Sequence, residues 1–322
     1  MAILIVTPTV PTAENGNGVT ARRWADLLRT LGHDVHVADS YQGSGAYQAL
    51  IALHAGKSAK AIRAFHGDHQ SAPVVVALTG TDLYPDLSST GVDPAVLDLA
   101  DQLIVLQPLA LNQIPERWRQ RARVITQSVP EITPQAPRED RFEVAFLVHA
   151  RSVKDPMVLP AALHLLPPDS RIRVTHVGES RDSELAALLY AEAASNSRYE
   201  WLGARPRNEA LRILARSRVL ALTSRHEGGA NVISEALAAG VPVIASDIPG
   251  TAGLLGSDYP GYFPVGDSHA LAARLSAAES DPAYYSALAQ HCAARRPLVD
   301  PQREASALAS LLADVGVSDL RP

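Results

Sequence analysis

Residues 219–246 read VLALTSRHEGGANVISEALAAGVPVIAS and contain the clearest indication of the fold in the chain. Two short apolar runs, Val219–Thr223 and Val243–Ser246, flank a helical segment that ends at Gly240. Apolar runs without polar alternation are typical of strands that are buried on both faces of a parallel sheet. A glycine directly after the last helical residue is typical of a helix C-terminus. The stretch therefore predicts a strand–helix–strand unit of a parallel sheet.

The same alternation of apolar strands and helices continues on both sides of this unit. Further strands are predicted at Ile3–Thr7, Val35–Asp39, Ala49–His54, Val74–Thr79, Leu103–Leu106, Val124–Thr126, Val144–Val148, Val174–Val177 and Trp201–Leu202. Helices are predicted between them, notably at Val19–Leu31, Ser58–Phe65 and Pro94–Ala100. After Gly266 the pattern is helical only, with Pro282–Arg295 and Gln302–Val315 as the clearest segments.

A proline-rich segment divides the two series of strands. Pro130, Pro134 and Pro137 lie among polar residues between Gln127 and Arg141, as in an interdomain linker. A chain of 322 residues is also too long for one ordinary core. We therefore predict an α/β protein with two Rossmann-like, doubly wound domains that face a central cleft, at residues 1–128 and 142–301, with a linker at 129–141.

Charge and composition exclude several classes of function. The net charge of −5 and the pI of about 6.1 argue against nucleic acid or an anionic membrane as partner. Cys292 is the single cysteine, so a disulfide framework and a zinc cluster are not expected. The N-terminus has no basic region before a long apolar run, and no apolar run reaches membrane-spanning length. We expect a cytoplasmic protein, and the sequence gives no oligomeric state.

The loop after Val219–Thr223 has the features of an anion site. Gly228 and Gly229 allow a ligand to approach the backbone closely. The N–H groups of Gly229, Ala230 and Asn231 lie at the start of the next helix, where they have no intrahelical partner. Such helix N-termini bind phosphate groups. The loop therefore predicts a phosphate or diphosphate ligand.

Two carboxylates flank this loop. Glu227 precedes it, and Glu235 lies about one turn inside the helix. One carboxylate can reach hydroxyls on one side of a bound diphosphate, and the other can reach hydroxyls on the opposite side. Nucleotide-sugars carry hydroxyls on both sides, so we predict a nucleotide-sugar site. The alternative is an ordinary helix with a pair of surface glutamates.

Two cations follow the first strand of the second domain. Arg151 and Lys154 stand at the carboxyl end of Val144–Val148, where open α/β sheets bind ligands. Cations in this position can bind a diphosphate and stabilise the charge that develops on a leaving nucleotide. Gly178 and Gly203 also follow strands of this domain. The alternatives are two solvated cations in a surface loop and two ordinary turn glycines.

These residues resemble the motifs of GT-B glycosyltransferases related to family 4. Glu227 and Glu235 match the E-x7-E motif, and Arg151 with Lys154 matches the Arg and Lys pair, although Ala150 replaces the usual glycine. The resemblance implies that Glu227 holds the donor sugar and Glu235 the ribose. It also implies that Arg151 and Lys154 stabilise the leaving diphosphate, while the Gly178 and Gly203 turns line the base. No D-x-D motif stands out, so no metal or other cofactor is expected.

Three junctions of the first domain are predicted to form an acceptor site. Glycine-containing loops and polar residues at strand ends can receive a small anion or a sugar. The candidates are Gly16, Asn17 and Gly18 after the first strand, His54 and Lys57 after the third, and Thr81 and Asp82 after the fourth. His54 has the alternative of a hydrogen-bonded core histidine, and Asp82 that of a turn cap. The glycines do not form G-x-G-x-x-G, which disfavours an NAD-linked enzyme.

A narrower resemblance concerns the acceptor. The NGNGVTA, LHAGKS, LTGTDLY and VKDP segments, which begin at residues 15, 53, 78 and 153, resemble the selenosugar synthases of selenoneine biosynthesis. This implies attack by selenophosphate on a UDP-sugar such as UDP-N-acetylglucosamine, with release of UDP. The GT-B resemblance implies that a final helix at about 302–316 packs on the first domain. The alternatives are a family-4 enzyme with a hydroxylated sugar or lipid-linked acceptor, and a non-catalytic nucleotide-sugar sensor.

Overall fold

A computed structural model describes residues 2–10 and 15–317 of the chain. The chain forms two compact units. Unit 1 comprises Met1–Ser128 and Asp300–Pro322, and unit 2 comprises Val129–Val299. No helix in the described part of the chain is long and apolar enough to cross a membrane.

Unit 1 contains a six-stranded parallel sheet in the order β2-β1-β3-β4-β5-β6. Its strands are β1 (Ala2–Val6), β2 (Val35–Ala38), β3 (Tyr47–Leu53), β4 (Val74–Leu78), β5 (Gln102–Val105) and β6 (Ala122–Val124). Its first helices are α1 (Gly16–Thr30), α2 (Ala59–Asp68), α3 (Pro94–Asp98) and α4 (Glu116–Arg119). Every residue of β1 and β4 is buried, as expected of strands covered on both faces.

Unit 2 contains a second six-stranded parallel sheet in the order β12-β11-β10-β7-β8-β9. Its strands are β7 (Phe142–Leu147), β8 (Ile172–Val177), β9 (Tyr199–Trp201), β10 (Val219–Leu222), β11 (Val243–Ser246) and β12 (Tyr262–Phe263). Its helices are α5 (Val158–Leu163), α6 (Ser183–Ser195), α7 (Arg207–Arg216), α8 (Asn231–Ala239), α9 (Pro249–Leu255), α10 (Ser268–Ser280) and α11 (Pro282–Arg295). Val129 and Ile132, from the segment predicted as a linker, are buried in its core.

The last helix, α12 (Pro301–Asp314), lies against α1 in unit 1. Glu304 anchors it with a fully buried carboxylate. That carboxylate accepts a hydrogen bond of 2.8 Å from Arg23 Nε, one of 2.6 Å from Trp24 Nε1 and one of 2.8 Å from the Ser128 N–H. A buried charge needs such a set of partners.

The two parallel sheets with their helices confirm the predicted Rossmann-like fold of each half. The two-residue strand β12 was not predicted, because Tyr262 and Phe263 are too few to form a recognisable apolar run. Helix α1 begins at Gly16, three residues before the predicted start.

Each sheet has a switch point, where chain connections leave neighbouring strands in opposite directions. In unit 2 the chain runs from β7 through β8 to β9 and then returns to β10 on the other side of β7. The ladder between β7 and β10 contains only the pairs Val219–Val144 and Leu220–Ala145, although both strands continue for two residues. In unit 1 the switch point lies between β1 and β3. Open α/β sheets bind ligands beyond the carboxyl ends of strands at such points.

Candidate functional site

The loops that follow β7 and β10 are joined to each other at the switch point of unit 2. The Thr223 hydroxyl donates a hydrogen bond of 2.8 Å to the Lys154 carbonyl. The Arg225 N–H donates one of 2.8 Å to the Val153 carbonyl. The Arg225 guanidinium forms an ion pair of 2.7 Å with Asp155 Oδ2. The two predicted halves of the diphosphate site therefore form one connected surface.

Lys154 and Glu227 form an ion pair at the centre of this surface. The Ser224 hydroxyl donates a hydrogen bond of 2.6 Å to the same oxygen, Glu227 Oε1. Only 17% of the Lys154 side chain and 10% of the Glu227 side chain are exposed, so water screens this pair weakly. Behind Glu227, a Cβ at Gly250 would lie 2.2 Å from the Glu227 carbonyl oxygen. Glycine is therefore required there for α9 to pack directly against the Glu227 backbone.

The two loops of this surface contribute two further groups with positive charge or potential, the amino end of α8 and the Arg151 side chain. Helix α8 begins at Asn231, and its cap, Ala230, has no side chain that could accept a hydrogen bond. Its first turn contains no acidic residue, so no side chain of that turn opposes the positive end of the helix dipole. Arg151 is exposed and forms no ion pair with any residue that the structure describes. Gly228 is buried beneath the loop and Gly229 is half-buried.

Glu235 lies further along α8 and is paired with Arg207, which belongs to none of the predicted motifs. Its side chain is 8% exposed, and its Oε1 lies 2.5 Å from Arg207 Nη1. Arg207 is the first residue of α7, and 35% of its side chain is exposed. The available signal was its place directly after the Gly203–Pro206 segment at a strand end. Two of the loops predicted to bind the donor are thus joined by this pair.

Gly178 and Gly203 shape the edge of the same site through their backbones. Gly178 has a φ of +149°, and a Cβ there would lie 1.9 Å from the Val148 carbonyl oxygen. The Gly178 N–H donates a hydrogen bond of 2.9 Å to the Gly203 carbonyl, and Gly203 has a φ of +68°. These turn requirements account for both glycines without a ligand, as the alternative interpretation allowed.

Asp82 of unit 1 was expected to line an acceptor site, whereas the structure buries it among the loops of unit 1. Its side chain is fully buried. Its carboxylate accepts hydrogen bonds from the N–H groups of Ala55 at 2.9 Å, Thr79 at 2.9 Å and Gly80 at 2.8 Å. Asp82 therefore holds together the loops that follow β3 and β4.

His54 lies beside Asp82 and contacts two other residues that were predicted to bind the acceptor, Lys57 and Thr81. His54 Nε2 lies 3.0 Å from Thr81 Oγ1, and the Lys57 N–H donates a hydrogen bond of 3.4 Å to His54 Nδ1. Burial lowers the pKa of the His54 imidazole, against the opposing effect of Asp82, so the ring is neutral at pH 7. Its φ of +68° is uncommon for a residue other than glycine, and such backbone strain concentrates at functional sites. Lys57 and Thr81 are exposed.

The prediction of a glycine-containing loop before the first helix is wrong about where the helix begins. Gly16, Asn17 and Gly18 form the first turn of α1. The helix starts early because the Asn15 side chain caps it, accepting a hydrogen bond of 3.0 Å from the Gly18 N–H. The Gly18 amide is therefore already bonded to the cap, and any anion at this end would meet the helix rather than a loop. Residues 11–14 lie outside the described residues.

Within residues 2–10 and 15–317, no group of three or more His, Cys, Asp or Glu side chains is arranged to hold a metal ion.

Comparisons with known proteins agree with this architecture. The family model described as "Glycosyl transferases group 1" matches residues 129–295. No curated protein matches the chain significantly. Among solved structures, HepE of Anabaena in complex with UDP and glucose has a TM-score of 0.77 at 17% identity and covers 98% of this chain and 100% of its own.

Two further solved structures share the fold. The sucrose-phosphate synthase of Thermosynechococcus elongatus has a TM-score of 0.76 at 18% identity, with 98% of each chain covered. The pneumococcal O-GlcNAc transferase GtfA in complex with UDP and GlcNAc has a TM-score of 0.66 at 15% identity, over 93% of this chain and 60% of its own. At these identities the likeness shows the fold alone, and with the two parallel sheets it confirms the predicted GT-B type.

Proposed function

This chain belongs to the group 1 glycosyltransferases, because that family model matches just over half of it. We propose that it transfers a sugar from a UDP-sugar to selenophosphate. The products are a 1-seleno-sugar, UDP and, after hydrolysis of the bond between selenium and phosphorus, inorganic phosphate. N-acetylglucosamine is the proposed sugar. No metal or other cofactor takes part in this proposal.

The observation that carries the donor part is the set of groups at the switch point of unit 2. Lys154 supplies a cation, α8 supplies a helix amino end with no acidic residue in its first turn, and Glu227 and Glu235 supply carboxylates that are 10% and 8% exposed. In the proposal Arg151 and Lys154 bind the diphosphate, Glu227 orients the sugar and Glu235 binds the ribose. The complexes of HepE with UDP and with UDP-glucose support a uridine nucleotide as the donor's leaving group.

Lys154 stabilises the leaving group in this mechanism. As the bond between the anomeric carbon and the diphosphate oxygen breaks, negative charge grows on that oxygen. The Lys154 ammonium has three N–H donors, so it can hold Glu227 and a phosphate oxygen at the same time. Because its position is fixed by Glu227 before the reaction, the charge is stabilised without reorganisation.

The acceptor part rests on unit 1. Selenophosphate is a small anion whose selenium is already a strong nucleophile, so it needs positioning and charge neutralisation rather than a strong base. The exposed Lys57 ammonium and Thr81 hydroxyl provide a cation and a hydrogen-bond donor, and Asp82 fixes their loops. Selenium attacks the anomeric carbon, UDP leaves, and water then cleaves the bond between selenium and phosphorus. The selenium specificity itself is supported by the narrower resemblance.

One observation favours a second acceptor class, a hydroxylated sugar. The neutral His54 imidazole is a potential proton acceptor for a sugar hydroxyl, which selenophosphate does not require. The sucrose-phosphate synthase of similar fold fits this alternative.

The proposal is tested by offering the purified protein a panel of UDP-sugars with selenophosphate, and separately with free hexoses and hexose phosphates. UDP release is measured together with the mass of the sugar product. The proposal predicts a selenium-containing sugar in stoichiometric amount with UDP. UDP release with a hydroxylated acceptor alone would support the second class. UDP binding without release under every condition would indicate a sensor and refute both.

A further inference from the structure

We infer that Arg207 is a positioning residue that makes the donor site selective for a ribonucleotide. This inference rests on the proposed function, in which Glu235 binds the ribose. It starts from the ion pair of 2.5 Å between Arg207 Nη1 and Glu235 Oε1.

The burial of Glu235 makes a partner necessary. With 8% of its side chain exposed, an ionised carboxylate has lost most of its hydration and needs charge-assisted hydrogen bonds. The Arg207 guanidinium supplies the counter-charge that this buried carboxylate needs and holds it on the side of α7.

By their chemistry, both partners can form hydrogen bonds beyond the ion pair itself. A carboxylate offers about four lone-pair sites, so Oε1 can accept from Arg207 while the group also accepts from a hydroxyl. The guanidinium is a planar fork with five N–H donors, and 35% of the Arg207 side chain is exposed. A vicinal diol can then bind to a carboxylate that is already oriented, at a lower entropic cost.

Arg205 provides a matched control two residues earlier. Its Nε lies 3.4 Å from Glu209 Oε1, and the two side chains are 36% and 40% exposed. This pair lies within the same segment and carries the same charge, but its exposure makes it weak. Replacing Arg205 therefore changes the charge of the segment while the Glu235 pair is kept.

The test measures the affinities of UDP and 2′-deoxy-UDP for the full chain by calorimetry. Wild type should bind UDP roughly tenfold or more tightly than 2′-deoxy-UDP, the range of a hydrogen bond to a charged group. In Arg207→Gln this ratio should fall towards one, whereas Arg205→Gln should keep it. Arg207→Lys retains the charge but lacks the planar guanidinium, so its ratio of UDP to 2′-deoxy-UDP affinity should be intermediate. This variant replaces Arg207→Gln in the test if Arg207→Gln folds poorly.

Two results overturn the inference while the proposed function stands. An equal loss of UDP and 2′-deoxy-UDP affinity in Arg207→Gln would assign Arg207 to the phosphates, and unchanged affinities would leave it a purely structural role. If wild type binds neither nucleotide, the proposed donor fails, and the role of Arg207 fails with it.

Discussion

Replacing Lys154 by alanine tests the leaving-group mechanism. The substitution removes the only lysine of unit 2, whose ammonium is paired with Glu227. Loss of one preorganised donor to a developing negative charge costs about 10²–10³ in kcat, or about 3–4 kcal/mol. We therefore expect kcat for UDP release to fall by about two to three orders of magnitude, because the cation acts mainly on the transition state.

Stability should change much less than activity. Glu227 loses its cation but keeps the hydrogen bond from Ser224, so the cost of the half-unpaired carboxylate is about 1–3 kcal/mol. The double variant Lys154→Ala/Glu227→Gln removes the unpaired charge, and its Tm should recover while its kcat stays low. Lys60, an exposed lysine on α2, gives the control Lys60→Ala, which should leave both quantities unchanged. A kcat/KM for Lys154→Ala within about threefold of wild type would refute the mechanism, because the expected effect is at least about 10².

Three further predictions concern the framework of the sites. Gly178→Ala should lower the Tm strongly, since its Cβ would lie 1.9 Å from the Val148 carbonyl oxygen. As a control, Gly67→Ala on the exposed surface of α2 should raise the free energy of unfolding by about 0.5–1 kcal/mol. Burial lowers the pKa of His176 to about 4 from 6.5, so the unfolded chain binds the proton more tightly than the folded chain. The free energy of unfolding should therefore fall by about 3 kcal/mol as the pH drops from 6.5 to 4. Chemical denaturation of His176→Gln should show a flatter dependence of stability on pH. Glu304→Gln should cost about 3–5 kcal/mol in urea unfolding, because Arg23 would be left without its buried counter-charge, whereas the exposed Glu131→Gln should cost almost nothing. A Glu304→Gln variant as stable as wild type would contradict that anchoring role.

The fold could be predicted from the sequence because its signals are local. The apolar runs of β1, β4 and β10 are buried over their whole length, and apolar continuity is the property that parallel strands require. The start of α1 was missed because glycines at 16 and 18 weaken the helical pattern, while the cap at Asn15 outweighs that weakness. Local propensity and capping pointed in opposite directions there, and the cap decided the boundary.

The partners of the site residues could not be predicted, because they depend on contacts between distant segments. Spacing placed Glu235 on a helix next to a phosphate loop, but it did not show that Arg207, 28 positions earlier, would neutralise it. It also placed Asp82 at a strand end without showing that three backbone N–H groups would enclose it. Strand ends identify the edge of the sheet where polar residues gather. Tertiary packing decides which of them face a ligand.

The central claim is that a nucleoside diphosphate binds at the switch point of unit 2. A crystal structure of the chain with UDP tests it most directly. We predict phosphate oxygens within hydrogen-bond distance of Lys154 and of the first turn of α8, with the ribose hydroxyls on Glu235. UDP bound in unit 1, or with its phosphates remote from α8, would contradict the claim.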